Sequence, residues 1–410
     1  MNELVPPSDE SDSLVDQTWS GFAGKTWQVH KFGGTSVASA ECYQSAAKIV
    51  EDQLGIHDES TNENDKKQEL NLAVVVSAMG GKPKTTDLLL QSVEAAAKRD
   101  QEEVDKLLEF VRKKHATCLE ELFAGSSDQD YQDLLQVVET DLNNIRDILK
   151  TVALMKWQAQ RISELVSGYG ELWSARIMSK VLHNRSVERQ TANGGDENFL
   201  EDEFVFIDAR RIIVIDEEAI QNGAVEWKIS EEKLCEVYEE ETAKHESGCR
   251  RLHFVITGYV ASNTEGVATT LQRDGSDYSA AIMGRLLQST NITIWTDVDG
   301  VLSADPRRVP EAHAVSEVSY NEAMELAYFG AKVIHPKTMQ PAISSDPQVR
   351  FVLADYKILF YGQISVLRYA IEFIVLQISS FPFLHFNRYQ FLSETHSMQA
   401  SVEREFIPRV

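Results

Sequence analysis

Lys31 sits near the end of the apolar-rich run Thr26-Trp27-Gln28-Val29-His30-Lys31-Phe32, and Gly33-Gly34-Thr35-Ser36-Val37 follows at once. A strand that ends in a lysine and two glycines lets backbone N–H groups approach a phosphate with no Cβ in the way. The lysine ammonium could then meet a phosphoryl group in transit. A plain strand-to-helix turn is the competing reading, because Gly-Gly pairs are common. Ser77-Ala78-Met79-Gly80-Gly81 is a second small-residue loop, placed after the buried-strand run Leu70–Val76. Gly24-Lys25-Thr26 imitates the end of a P-loop. Trp19 stands where that motif needs a glycine, and a strand follows where it needs a helix, so the P-loop reading fails.

Further along, Arg273-Asp274-Gly275-Ser276-Asp277-Tyr278 leads into an apolar helix. The arginine could grip a carboxylate through two parallel hydrogen bonds. Ser276 or Asp277 could equally be an ordinary helix cap. Trp295-Thr296-Asp297-Val298-Asp299-Gly300 follows a strand, and Asp305-Pro306-Arg307 comes soon after. Its paired aspartates could bind Mg²⁺, although turns are rich in Asp and Gly anyway. Gly330-Ala331-Lys332-Val333-Ile334-His335-Pro336 offers a second lysine beside small residues, and His335 reads as structural rather than catalytic.

The elements that must position these groups alternate. Strands are predicted over Thr26–Phe32, Leu70–Val76, Glu203–Ile215, Leu252–Val260 and Ile292–Trp295. Helices are predicted over Ala40–Leu54, Ser230–His245, Tyr278–Leu287 and Asn321–Tyr328. Such alternation points to an α/β fold with a mainly parallel sheet, whose ligands gather at the loops leaving the strand ends. Between residues 85 and 182 apolar residues recur at helical spacing, including a pair of helices around Glu102–Phe123 and Tyr131–Met155. This is a helical insertion in the alternating pattern. Residues 1–25 read as a disordered lead-in and Asp58–Lys67 as a surface loop. Ile358–Phe386 is apolar over about the length of a membrane span. Arg368 and Glu372 lie inside it and Pro382 interrupts it, so no span is expected.

Bulk properties narrow the partners. The 410 residues carry a formal net charge of -24, so no nucleic-acid partner is expected, because phosphate-backbone binding needs a basic surface. Hydrophobic content of 43% and charged content of 25% are ordinary for a globular chain. Cys42, Cys118, Cys235 and Cys249 have no metal-ligand spacing and read as reduced thiols of an intracellular protein. Met1–Gln17 is acidic and polar, unlike a secretory signal or a transit peptide. The expectation is a cytoplasmic protein, with a plastid location open if the N-terminus is incomplete.

Together, Lys31–Val37, Gly275–Tyr278, Trp295–Gly300, Asp305–Arg307 and Phe329–Pro336 closely resemble aspartokinases, in particular the kinase portion of the bifunctional aspartokinase–homoserine dehydrogenases. The resemblance covers roughly Trp27 to Pro347. It implies an amino acid kinase fold, an αβα sandwich on a mainly parallel sheet with a helical lobe on the substrate side. It also implies transfer of the ATP γ-phosphoryl group to the side-chain carboxylate of L-aspartate, the first step of lysine, threonine and methionine biosynthesis. On that match Lys31 and Lys332 flank the migrating group, and Asp277 holds the lysines. Arg273 takes the substrate α-carboxylate and Glu171 faces its ammonium, with Thr86, Tyr259 and Ser276 lining the same pocket. Gly33, Gly34, Ser36, Thr296, Asp297, Asp305, Arg307 and Lys332 serve the nucleotide. Mg²⁺ is carried by the ATP phosphates, with no protein ligand assigned, and a homodimer is compatible with the family. A carboxylate is already nucleophilic at neutral pH, so no general base is required and positioning with charge neutralisation carries the chemistry.

The chain also departs from the family. Val349–Leu353 could supply the next strand, but neither the expected Asn-Thr pair nor the Pro-Gly-Thr turn follows, and no Gly-x-Gly-x-x-Gly dinucleotide motif appears. The domain is therefore drawn as residues 26–347, with residues 348–410 an atypical apolar tail in place of ACT regulatory domains. Two alternatives stay open: a different acceptor such as glutamate, or an inactive relative that only binds ligand or partner.

Overall fold

The structure is a computed structural model. It describes residues 25–60, 69–123, 128–155, 160–192, 201–216, 225–244, 250–272, 275–296, 302–303, 309–313, 315, 318–328, 335–345 and 349–355. Six parallel strands form the main sheet: β1 (Lys25–Phe32), β2 (Glu69–Val76), β3 (Glu201–Ile207), β5 (Arg250–Thr257), β8 (Asn291–Thr296) and β9 (Arg350–Asp355). Their order is β3-β5-β2-β1-β8-β9. A small second sheet holds β4 (Val214–Ile215), β6 (Val260–Asn263) and β7 (Ala268–Thr270). The helices are α1 (Ala40–Ser60), α2 (Thr85–Ala97), α3 (Gln101–Phe123), α4 (Asp128–Met155), α5 (Gln160–Ala192), α6 (Trp227–Lys244), α7 (Gly275–Leu286), α8 (Tyr320–Tyr328) and α9 (Pro336–Ile343).

The expected α/β layering is present. β2 is apolar along nearly its whole length because it is buried on both faces, as a central parallel strand must be. Leu70, Leu72, Val74 and Val76 point to one face and join Tyr43, Ala47 and Val50 of α1 with Met178 and Leu182 of α5 in one core. The opposite face carries α6 and α7: Trp27 packs edge-on to Tyr238 and lies 5.2 Å, ring to ring, from Phe254. A second core lies wholly among helices, with α2, α3, α4 and the first half of α5 closing around Leu89, Leu108, Leu142 and Trp173. This is the predicted helical insertion. The 33-residue α5 belongs to both cores.

At the N-terminal end of the sheet sits a closed polar network. Asp202 of β3 accepts from Arg251 Nε at 2.7 Å and from His253 Nε2 at 3.0 Å, and Arg189 lies 3.3 Å from its other oxygen. The Leu72 N–H donates to His253 Nδ1 at 3.0 Å, so the His253 proton is on Nε2, directed at Asp202. Burial opposes the Asp202 charge, but the His253 hydrogen bond and the neighbouring cations overcome it and hold the carboxyl at about 2. Ser179 and Ser186 of α5 donate to the Phe204 and Asp202 carbonyls, which ties that helix along the edge strand.

Several boundaries differ from the sequence reading. The single strand expected over Glu203–Ile215 is split into β3, a 3-10 turn at Ala209–Arg211, and β4 of the second sheet. The strand expected over Leu252–Val260 breaks at Gly258-Tyr259, where Tyr259 adopts φ 67°. Helix α7 starts at Gly275, so Ser276 and Asp277 lie in its first turn and are not its cap. The strand expected at 349–353 is β9, so the sheet continues past residue 347. Lys25 opens β1, as the failed P-loop reading requires. No helix among the described residues is long and apolar enough to cross a membrane. The lead-in before Lys25 and the apolar stretch after Asp355 lie outside the described residues.

Candidate active site

β1 has β2 on one side and β8 on the other, so the chain order changes direction there, and Lys31 lies at the C-terminal end of this strand. Open α/β sheets bind ligands at such a switch point. The Lys31 ammonium is 2.5 Å from Asp277 Oδ1, with the lysine side chain 11% and the aspartate 24% exposed. Asp277 reaches this position from the first turn of α7. That helix start fits closely under β5: a Cβ on Gly275 would lie 2.7 Å from the Tyr259 ring, and one on Gly258 2.5 Å from Ser276 Oγ. The Tyr259 N–H donates to Ser279 Oγ at 2.9 Å, which fixes the turn.

The two glycine loops meet. Gly80 donates its N–H to Gly34 O at 3.0 Å, and a Cβ on Gly80 would sit 2.2 Å from that oxygen, an impossible distance. Only glycine allows this approach. Gly33 leaves space beside Lys31, whose Nζ would lie 3.4 Å from a Cβ there. Ser36 is buried in the following 3-10 turn, and its hydroxyl has no partner among the described residues.

Glu171 enters from α5. The glycines of Ser167-Gly168-Tyr169-Gly170-Glu171 let the helix come in close: a Cβ on Gly168 would lie 2.8 Å from Val260, and one on Gly170 3.0 Å from Ala78 and 3.3 Å from Thr85. Two glycines inside a helix each cost up to about 1 kcal/mol, so close approach is the reason for them. The Glu171 side chain is buried, and burial pushes its carboxyl up to about 8, against a backbone hydrogen bond from Ala78 and the nearby Lys31 charge. Its Oε2 has no hydrogen-bond partner among the described residues. Lys31 therefore lies close to two carboxylates, one paired with it and one incompletely satisfied.

Of the residues singled out by sequence, Lys31 and Thr296 lie at the ends of β1 and β8, Gly33, Gly34, Ser36 and Tyr259 in the turns after β1 and β5, Thr86, Ser276 and Asp277 in the first turns of α2 and α7, and Glu171 inside α5. Thr86 is half-buried in the first turn of α2. Its neighbour Thr85 is the buried one, with a hydroxyl that has no partner among the described residues, and was not singled out. His335 caps α9, its Nδ1 accepting from the Lys337 N–H at 3.2 Å, in keeping with a structural role. Arg273, Asp297, Asp305, Arg307 and Lys332 lie outside the described residues. So does the approach of Lys332 to Lys31. No cluster of three or more His, Cys, Asp or Glu side chains fit to hold a metal occurs among the described residues.

Chemically, this is a cationic side chain held by a carboxylate between glycine loops, with buried hydroxyls and one orphan carboxylate oxygen. It can take an anion at the lysine and loops, and a cation at Glu171. Known proteins are similar to this chain. The bifunctional aspartokinase/homoserine dehydrogenase of Daucus carota is 35% identical over 342 residues, 83% of this chain but 32% of the relative. Aspartokinase 2, chloroplastic, of Arabidopsis thaliana is 31% identical over 336 residues, 81% of this chain and 53% of the relative. The chain thus spans about a third of its bifunctional relatives and about half of that aspartokinase. Among solved structures, E. coli aspartokinase III in complex with aspartate and ADP has the same fold, with a TM-score of 0.61 at 24% identity, covering 91% of this chain and 74% of that one. Residues 26–352 match the amino acid kinase family, to which this chain belongs.

Proposed function

We propose that this protein transfers the γ-phosphoryl group of ATP to the side-chain carboxylate of L-aspartate, giving 4-phospho-L-aspartate and ADP. The observation that carries this reading is the Lys31–Asp277 ion pair at the meeting point of two glycine loops, with buried Glu171 close by. The relatives named aspartokinase support the choice of acceptor.

The loops offer backbone N–H groups to the nucleotide phosphates, and Lys31 neutralises charge that builds on the transferred group. Asp277 keeps the Lys31 ammonium aimed, which matters because phosphoryl transfer depends mostly on positioning and electrostatics. Lys332 supplies the second cation in this proposal, and Thr296, Asp297, Asp305 and Arg307 belong to the nucleotide side. Mg²⁺ enters with ATP and supplies further neutralisation of phosphate charge. Arg273 holds the α-carboxylate of aspartate. Glu171 takes the α-ammonium: a cation at its orphan oxygen gives the buried carboxylate the counter-charge it lacks in the free protein. The aspartate carboxylate attacks as the anion it already is, and no protein base is needed. A cytoplasmic or plastid location and homodimeric assembly belong to the same proposal.

Aspartate-dependent ADP release by purified protein tests it, with glutamate and acetylglutamate as competing acceptors. Lys31→Ala should lower kcat about 10²–10³-fold, the size of losing one preorganised charge-stabilising group. ADP release that ignores aspartate, or is untouched by Lys31→Ala, would overturn the assignment.

A further inference from the structure

Lys114 is a half-buried lysine of α3, outside every motif described above. Its ammonium donates to the carbonyls of Gly80 and of Pro83, the latter at 2.9 Å, and lies 3.4 Å from that of Met79. It has no carboxylate partner among the described residues, and burial lowers its pKa with nothing acidic but the Cys118 thiol to offset this. A charge kept out of water without a counter-ion is costly unless its hydrogen bonds are made, and here all of them go to one loop.

From this geometry we infer that Lys114 is a positioning residue for phosphoryl transfer, setting the Gly80-Gly81 loop in the orientation that binds nucleotide phosphate. The inference rests on the function proposed above. In a trans peptide the carbonyl of one residue and the N–H of the next point in opposite directions, and the Met79–Gly80 and Gly80–Gly81 peptides are trans. By drawing the Met79 and Gly80 carbonyls toward α3, Lys114 turns the Gly80 and Gly81 N–H groups away from it. The Gly80 N–H is accordingly found on Gly34 O in the opposite loop. The Gly81 N–H has no acceptor among the described residues and is left for a ligand. Gly81 has φ +90°, a backbone state that glycine adopts without strain. An ammonium whose hydrogen bonds among the described residues all go to this loop selects that state from those open to glycine.

Lys114→Met keeps the aliphatic stem and removes every donor, whereas Lys114→Arg keeps charge and donors. With Lys114→Met, KM for ATP should rise about 10-fold and kcat should fall about 10-fold, while KM for aspartate stays within about twofold. Lys114→Arg should recover both to within about threefold. Amide exchange at Gly80 and Gly81 should speed up in Lys114→Met without a matching change in melting temperature. Unchanged kcat and KM for ATP in Lys114→Met overturn the inference, as does activity that falls only in step with the folded fraction. If Lys114→Met does not fold, Lys114→Gln takes its place under the same criteria. A wild-type protein that binds MgATP but does not release ADP with aspartate sinks the acceptor assignment alone. The role of Lys114 is then decided by MgATP titration, where Lys114→Met should bind about 10-fold more weakly.

Discussion

The two ends of the sheet each bury a carboxylate, and they treat it in opposite ways. At the N-terminal end Asp202 is surrounded by Arg251, His253 and Arg189, and its pKa is driven down to about 2. At the C-terminal end Glu171 has one backbone donor and an orphan oxygen, and its pKa rises to about 8. Burial acts on both groups in the same direction, so the partners decide the sign. A carboxylate with its counter-charges built in is part of the framework. One without them is in need of a ligand.

The largest expected effect of breaking this contrast is at the framework end. Asp202→Asn removes the buried charge that Arg251 and His253 both contact and should cost about 3–5 kcal/mol in denaturant unfolding. Any surviving folded protein should keep an unchanged KM for aspartate. Glu171→Gln should do the reverse: melting temperature unchanged or raised, and KM for aspartate up about 10–100-fold for loss of one charged hydrogen bond. A large stability loss in Glu171→Gln with KM intact would erase the distinction.

Stability as a function of pH should show both groups with opposite slopes. Asp202 has a depressed folded pKa, so its contribution is present above the ordinary 3.8 and is lost as pH falls toward about 2, amounting to about 2 kcal/mol. Glu171 has a raised one. Between 4.5 and about 8 the folded protein holds a proton that the unfolded chain has released, so stability declines as pH rises, and Glu171→Gln should flatten that decline. The smallest effect compares two helical glycines. Gly55→Ala in α1 meets nothing within 4 Å and should stabilise by about 0.5–1 kcal/mol. Gly170→Ala gains the same propensity but presses on Ala78 and Thr85, and should show no gain or a loss of about 1 kcal/mol.

Much of the functional end was legible because its signals are local. A strand, a lysine and two glycines occupy consecutive positions, and the Gly275–Tyr278 motif opens a helix. The framework end was not, because Asp202 lies 49 and 51 residues from its partners Arg251 and His253, and none of the three has a local pattern. Glu171 was found through family resemblance alone; the glycines before it become informative only once α5 is seen against Ala78 and Val260. Lys114 was missed because a lysine in a charged helix reads as a solvated face until the loop beneath it is known. The break at Gly258-Tyr259 was missed because positive φ at a tyrosine has no signature in the sequence.

The long helix α5 links these regions mechanically. At 33 residues it is about 50 Å from end to end. Its first half is gripped by the helical lobe and its second by the sheet, with Glu171 near the crossover. It works as a beam with its pivot at the active site. A tilt of about 5° around that pivot would carry Gln160, 11 residues and about 16 Å away, by about 1.5 Å, while Glu171 stayed in place. Movement of the lobe and a fixed charge at the site are thus compatible in one rigid element.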